Sequence, residues 1–127
     1  MTAPVLPFDP ETLLLSVDAA REAGRMAADR YRVTKPYPHG CFDNFIDPAI
    51  LERVTEELRT LPEAETFFNS PQEKLKTSYM PERLAPYTRS LFYALNARPF
   101  LTFLEELTGI QGLIPDPYFA GGGIHVV

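Results

Sequence analysis

The chain has 127 residues, enough for one domain with a modest core, and its formal net charge is -5. Hydrophobic residues make up 45% of it, which indicates a folded chain and excludes a disordered one. Acidic and basic residues are interspersed without a basic stripe, so we expect no nucleic-acid partner. There is no long apolar run and no secretory signal pattern, and the single Cys41 cannot form an internal disulfide. We therefore predict a cytoplasmic protein without a membrane segment.

The first predicted element is an amphipathic helix that begins at Asp9-Pro10, where Asp can cap free amides and Pro fits the first helical position. Its apolar face carries mostly small residues, which favours packing against another element over the alternative of a membrane-surface helix. The residues of that face are Leu13, Val17, Ala20, Gly24, Ala27 and Tyr31. Residues 1–34 form the predicted N-terminal lead and helix.

Prolines in Lys35–His39 end this helix, and Gly40–Ile46 is predicted to be extended. Asp47-Pro48 repeats the helix-start chemistry. The apolar stripe that follows it consists of Ile50, Leu51, Val54, Leu58 and Leu61.

Residues 63–79 are predicted to be a polar connector. Its Lys74 and Lys76, near Tyr79, could contact an anion, although a mixed surface loop is favoured. Residues 81–96 are predicted to be helical in their second half. A last helix is predicted to begin at Pro99 and to end at Gly109, because glycine favours the position after a helix.

The final stretch contains a rigid turn at Pro115–Pro117, then Gly121–Gly123, and then Ile124–Val127, which is typical of the opening of a β-strand. The glycines do not form a phosphate loop, because they precede a strand start and no Lys-Ser/Thr follows them. His39 and Cys41 could offer a metal one nitrogen and one sulfur, but two ligands are too few for a zinc site, so a structural role is favoured. The motifs therefore predict no catalytic and no metal-binding residue.

Two blocks carry a resemblance to a known family. They are Pro36-Tyr-Pro-His-Gly-Cys-Phe-Asp-Asn-Phe-Ile46, followed by a helix, and Leu113-Ile-Pro-Asp-Pro-Tyr-Phe-Ala-Gly-Gly-Gly-Ile-His125, preceded by Leu107-Thr-Gly-Ile110. Together they resemble the start of bacterial 2-oxoglutarate- and Fe(II)-dependent oxygenases of the prolyl-hydroxylase-like group. The resemblance covers roughly Lys35 to Val127, and the glycine-rich block is its more specific part.

The resemblance implies an α+β fold: a helical N-terminal portion with the first strands of a double-stranded β-helix, or jelly roll. It implies a site in which two His and one Asp/Glu hold Fe(II) beside 2-oxoglutarate, and a hydroxylation of a small-molecule or peptidyl substrate. The His-x-Asp iron motif is absent from the 127 residues. We therefore expect residues 35–127 to be the N-terminal part of such an oxygenase, truncated before most of its barrel, inactive alone and without tight Fe(II) or 2-oxoglutarate binding.

The resemblance also points to two residues near the mouth of the barrel, Tyr118 and His125. In the intact protein His125 is predicted to donate a hydrogen bond to 2-oxoglutarate; the alternative is a surface histidine at a strand start. Tyr118 and Phe119 are otherwise expected to be core residues.

A different function is a non-catalytic helical interaction module, with possible self-association through exposed apolar helix faces. An oxygenase fragment should leave the faces of its helices partly uncovered and Ile124–Val127 unpaired, whereas a module should close its helices into a compact core.

Overall fold

A computed structural model describes residues 2–60, 66–68, 76–79, 81–120 and 122–126. Its helices are α1 (Val17–Val33), α2 (Pro48–Leu58), α3 (Pro86–Ala94) and α4 (Arg98–Thr108), with a 3-10 turn at Pro81–Arg83. Three short strands, β1 (Thr66–Phe68), β2 (Lys76–Tyr79) and β3 (Ile124–Val126), form an antiparallel sheet in the order β1-β2-β3. None of the described helices is long and apolar enough to cross a bilayer.

The first helix begins later than its sequence predicts. The carboxylate of Asp9 accepts hydrogen bonds from the amides two and three residues further on, at 2.8 and 3.1 Å, as a helix cap would. The turn then stops, because Leu13 adopts a left-handed backbone with a φ of 59° and its side chain is buried. Helix α1 starts only at Val17, where the Ser16 hydroxyl accepts a hydrogen bond from the amide of Ala19.

Helices α1 and α4 pack closely against each other, as the small-residue face of α1 predicts. Ala20, Gly24 and Ala28 are the buried residues of α1. A Cβ on Gly24 would lie 2.7 Å from both the Phe103 carbonyl oxygen and the Glu106 Cβ, so the two backbones approach at a distance that only glycine allows. The predicted packing role of this helix is confirmed.

Phe103 of α4 is the centre of the core, with 1% of its surface exposed. The rings of Phe42, Phe45 and Phe100 surround it, with centroid separations of 6.1, 5.7 and 6.0 Å. The remaining buried apolar residues of the cluster come from the segment before α1 (residues 2–16, the N-terminal segment) and from all four helices: Leu6, Phe8, Leu13, Leu15, Ala20, Ile50, Val54, Tyr87, Leu91 and Leu107.

The Asp-Asn-Phe block joins this core to the N-terminal segment. The carbonyls of Asn44 and Phe45 accept hydrogen bonds from the amides of Val5 and Leu6, at 3.0 and 2.8 Å. Asn44 adopts a left-handed backbone with a φ of 52°, and its amide group donates to the Thr2 carbonyl at 3.1 Å. The predicted extended segment thus lies beside the N-terminal segment, although it is not assigned as a strand.

The predicted starts of α2 and α4 are confirmed. Asp47 caps α2 by accepting the Ala49 amide at 2.9 Å, and Ile50 and Val54 of its stripe are buried while Leu51 is exposed. Leu61 lies outside the described residues. The predicted polar connector contains β1 and β2, which the sequence patterns do not predict.

The predicted fold class, α+β with the first strands of a jelly roll, is wrong. Four helices and the N-terminal segment build the body, and no jelly-roll sheet is seen in the described ranges. The described strands have three or four residues each and pair in sequence order, whereas a jelly roll faces two sheets in a Greek-key arrangement. The physical reason is that the apolar face of α1 packs on α4, so it needs no barrel to cover it.

Candidate functional site

The glycine-rich block that carries the resemblance is anchored to the end of α4. Gly109 ends the helix in the left-handed conformation, with a φ of 78°. The carboxylate of Glu105 accepts hydrogen bonds from the amides of Gly112 and Leu113, at 2.7 and 3.0 Å. Arg98 completes the link, because its guanidinium lies 3.4 Å from the Glu105 carboxylate and donates to the Leu113 carbonyl at 3.2 Å.

The turn that follows is built around Asp116. Its carboxylate accepts the amides of Tyr118 and Ala120, at 2.9 and 2.7 Å. Its backbone is bound on both sides by the Asn96 side chain, which donates to the carbonyl at 2.8 Å and accepts the amide at 3.3 Å. Asn96 follows α3, so the turn is fixed to the corner between α3 and α4.

The two residues predicted near the barrel mouth lie in different parts of this block, Tyr118 in the turn and His125 in β3. Tyr118 is 83% exposed, so the expectation that it belongs to the core is wrong, while the neighbouring Phe119 packs on Tyr93 with ring centroids 5.6 Å apart. His125 lies in β3, directly opposite Ser78 of β2. The proposed cofactor contacts of Tyr118 and His125 stay predictions.

The residues that the structure describes do not fit an iron centre. In the described part of the chain, no group of three or more His, Cys, Asp or Glu side chains is placed to hold a metal ion. The His39 Nδ1 lies 2.7 Å from the Tyr37 carbonyl oxygen and therefore donates to it, and Cys41 is an exposed free thiol. The alternative of an anion contact in the connector stays untested, because Lys74 and the side chains of Lys76 and Tyr79 lie outside what the structure describes.

A second feature is a cavity that the sequence patterns do not predict. It has a volume of 540 Å³ and lies between the N-terminal segment, the second half of α1 and the loop at residues 39–42. Its apolar lining includes Val5, Ala23, Met26, Tyr31 and Phe42. These residues come from three separate stretches of the chain, so only a tertiary structure brings them together.

A polar cluster joins α2 to α3. The carboxylate of Glu57 accepts hydrogen bonds from the Thr88 hydroxyl at 2.6 Å, from the Thr88 amide at 2.7 Å and from the Tyr87 amide at 3.3 Å. Ala85 at the start of α3 offers no side-chain cap, so Glu57 takes that role from another helix. Burial alone would raise the pKa of Glu57, but the hydrogen bonds from Thr88 and Tyr87, together with Arg53, lower it.

Tyr87 extends this cluster to the N-terminal segment. Its hydroxyl donates to the Pro10 carbonyl at 2.7 Å, and the Arg53 guanidinium lies 4.0 Å from the centre of its ring. Burial raises the pKa of the Tyr87 phenol, and Arg53 opposes that effect. Glu57 and Tyr87 both have their partners inside the protein, so the cluster holds elements together and offers no free acid or base.

Comparison of the chain with protein-family models, with curated proteins and with solved structures finds no match.

Proposed function

We propose that these residues are the N-terminal helical portion of a 2-oxoglutarate- and Fe(II)-dependent dioxygenase of the hydroxylase type. The observation that carries the proposal is the glycine-rich block Leu113–His125 and its resemblance to the segment that precedes the iron-binding strand of that family. In this role the chain supplies helical support, and other residues of the intact protein hold the iron. The 127 residues alone have no dioxygenase activity.

One feature of the block supports this role, and one differs from what it predicts. Glu105 and Asn96 fix its first half to the helical core, so the direction in which the chain leaves the core is set by hydrogen bonds. Its second half enters β3, which pairs on one side with β2, whereas an oxygenase fragment is predicted to leave Ile124–Val127 unpaired. A strand at the edge of a sheet presents unpaired amides and carbonyls on its other side, where another strand could add.

The test is the coding sequence after the codon of Val127, together with the product of any longer reading frame. We expect a His-x-Asp pair a short distance downstream, and a longer product that converts 2-oxoglutarate to succinate when Fe(II) is added. In that product His125→Phe should weaken 2-oxoglutarate binding, while a control change, Leu51→Ala on the outer face of α2, should not. A stop codon or an unrelated sequence downstream would contradict the proposal.

A second candidate function, a non-catalytic interaction module, is favoured by a different observation. Helices α1 and α4 close against each other, and large apolar side chains stay exposed beside the anchored block. Ile114 is 85% exposed, and Tyr93, Ile110 and Tyr118 are each at least half exposed. Large exposed apolar side chains are typical of a protein-protein contact when they lie together.

Sedimentation of the 127-residue protein at increasing concentration tests the module. Self-association through this surface predicts a dimer that the double change Ile114→Ser and Tyr118→Ser abolishes. The control change Met26→Ser, an exposed apolar residue of α1, should leave the dimer intact. A monomer at all concentrations would exclude self-association.

A further inference from the structure

We propose that the cavity between α1 and the loop at residues 39–42 binds an aliphatic carboxylate, with the hydrocarbon chain inside and the carboxylate at Arg30. This binding site is independent of the proposed dioxygenase role, because none of its described lining residues belongs to the glycine-rich block. Arg30, Thr34 and His39 are its polar lining residues, and Cys41 lines it as well.

The size and the lining fit a ligand with an apolar chain. A volume of 540 Å³ is within the range of small-molecule pockets, about 300–1,000 Å³. The apolar wall is formed by aromatic, aliphatic and thioether side chains, among them Met26, which stays 78% exposed although it is large and apolar. Unbranched thioether side chains adapt readily to a bound hydrocarbon.

The charge of the lining indicates which chemical group the ligand carries at the end of its hydrocarbon chain. Arg30 is its only charged side chain, and no carboxylate belongs to the described lining. The other arginines of α1 are paired: Arg21 with Asp18 and Glu106, Arg25 with Glu106, and Arg32 with Asp29. Arg30 has no such partner among the described residues. An arginine beside an apolar cavity therefore favours a ligand that carries one carboxylate.

Octanoate is the probe, and octanol is the uncharged comparison. Cys41 is the single thiol of the chain, it is exposed, and it lines the cavity, so its reaction with the neutral reagent iodoacetamide reports occupancy directly. We expect octanoate to slow this reaction in a saturable way, and octanol at the same concentration to slow it much less. Acetate added at equal ionic strength controls for charge alone.

Arg30→Gln tests the carboxylate contact, and Arg32→Gln is the matched control, because Arg32 lies on the same helix outside the lining. We expect Arg30→Gln to weaken octanoate binding about tenfold, the ratio that ~1.4 kcal/mol represents. Arg32→Gln should bind octanoate like the unchanged protein. Circular dichroism checks that both variants are folded.

Calorimetry with octanoate gives a second readout that does not depend on the thiol chemistry. Prior modification of Cys41 with a bulky maleimide should abolish the binding heat. Equal protection by octanol and octanoate, or unchanged affinity in Arg30→Gln, would overturn the proposal. The proposal would also be overturned if octanoate neither slowed the reaction of Cys41 with iodoacetamide nor produced a binding heat.

Discussion

Gly24 lies where α1 crosses α4, and it shows how a single residue sets the distance between two helices. In an isolated helix glycine is less favourable than alanine by about 1 kcal/mol. Here the missing Cβ lets the Phe103 carbonyl and the Glu106 side chain approach within 2.7 Å of the position that a Cβ would take. Close packing therefore outweighs helix propensity at this residue.

Gly24→Ala should lower the free energy of unfolding although alanine is the better helix former. The added methyl would meet a backbone carbonyl, and overpacking of this kind costs about 1–3 kcal/mol, more than the propensity gain. Urea denaturation measures the change. Glu22→Ala, on the exposed side of the same helix, is the control and should stay within about 0.5 kcal/mol. Equal or higher stability of Gly24→Ala would show that the helices can separate without cost.

Leu13 shows why one prediction at the residue scale is wrong. The chemistry of Asp9-Pro10 is that of a helix cap, and the Asp9 side chain does cap one turn. The helix fails to continue because Leu13, with a φ of 59°, directs its side chain into the core. The backbone conformation of Leu13 depends on core residues far away in the sequence, so no local sequence pattern predicts it.

At the scale of elements, the helices are joined by carboxylates that cap neighbouring backbones. Glu57 of α2 satisfies the start of α3, and Glu105 of α4 holds the first amides of the glycine-rich block. The local signals, Asp47 before α2 and Gly109 after α4, are correctly predicted because each acts on its own helix. The cross-element caps are not predictable from spacing, because Glu57 and Thr88 are far apart along the chain.

Glu57→Gln should destabilise the protein at neutral pH by about 1–2 kcal/mol, the difference between charged and neutral hydrogen bonds. Glu57 has a pKa lowered from its usual 4.5 in the folded state, so its contribution is present above that value and is lost as the pH falls through the folded-state pKa. The stability difference between Glu57→Gln and the unchanged protein should therefore shrink below pH 4.5. Urea denaturation at several pH values measures it.

Glu56→Gln is the matched control for that pH series. Glu56 is exposed and pairs with Arg59 on the same helix at 2.7 Å, and exposed pairs contribute about 0–1 kcal/mol. The control should therefore show little loss at neutral pH. A loss for Glu57→Gln that is no larger, or that does not depend on pH, would contradict the capping role.

Glu105→Ala should release the glycine-rich block from α4. The amides of Gly112 and Leu113 would lose their acceptor, and Arg98 would lose its partner. We expect both amides to exchange with solvent about tenfold faster, which corresponds to ~1.4 kcal/mol of lost protection. NMR hydrogen exchange measures this. Glu106→Ala, the neighbouring carboxylate, should leave both amides protected; equal exchange in the two variants would show that Glu105 does not hold the block.

At the scale of the whole molecule, the helices pack against one another around one hydrophobic core. The sequence patterns predict the packing role of α1 and most of the apolar residues of α2 and α4, since these follow from helical periodicity. They do not predict the cavity beside α1 or the pairing of β3 with β2, because both combine distant segments. The jelly-roll prediction rests on a family resemblance and not on periodicity, and the helical core contradicts it.

In the proposed function, these residues form a helical support without an iron centre of their own. Anaerobic titration of the 127-residue protein with Fe(II), with and without 2-oxoglutarate, tests it most directly. His39 and Cys41 offer too few ligands, so we predict no saturable binding at micromolar concentrations and no succinate. Stoichiometric binding with a micromolar or lower dissociation constant, accompanied by formation of succinate, would contradict the claim.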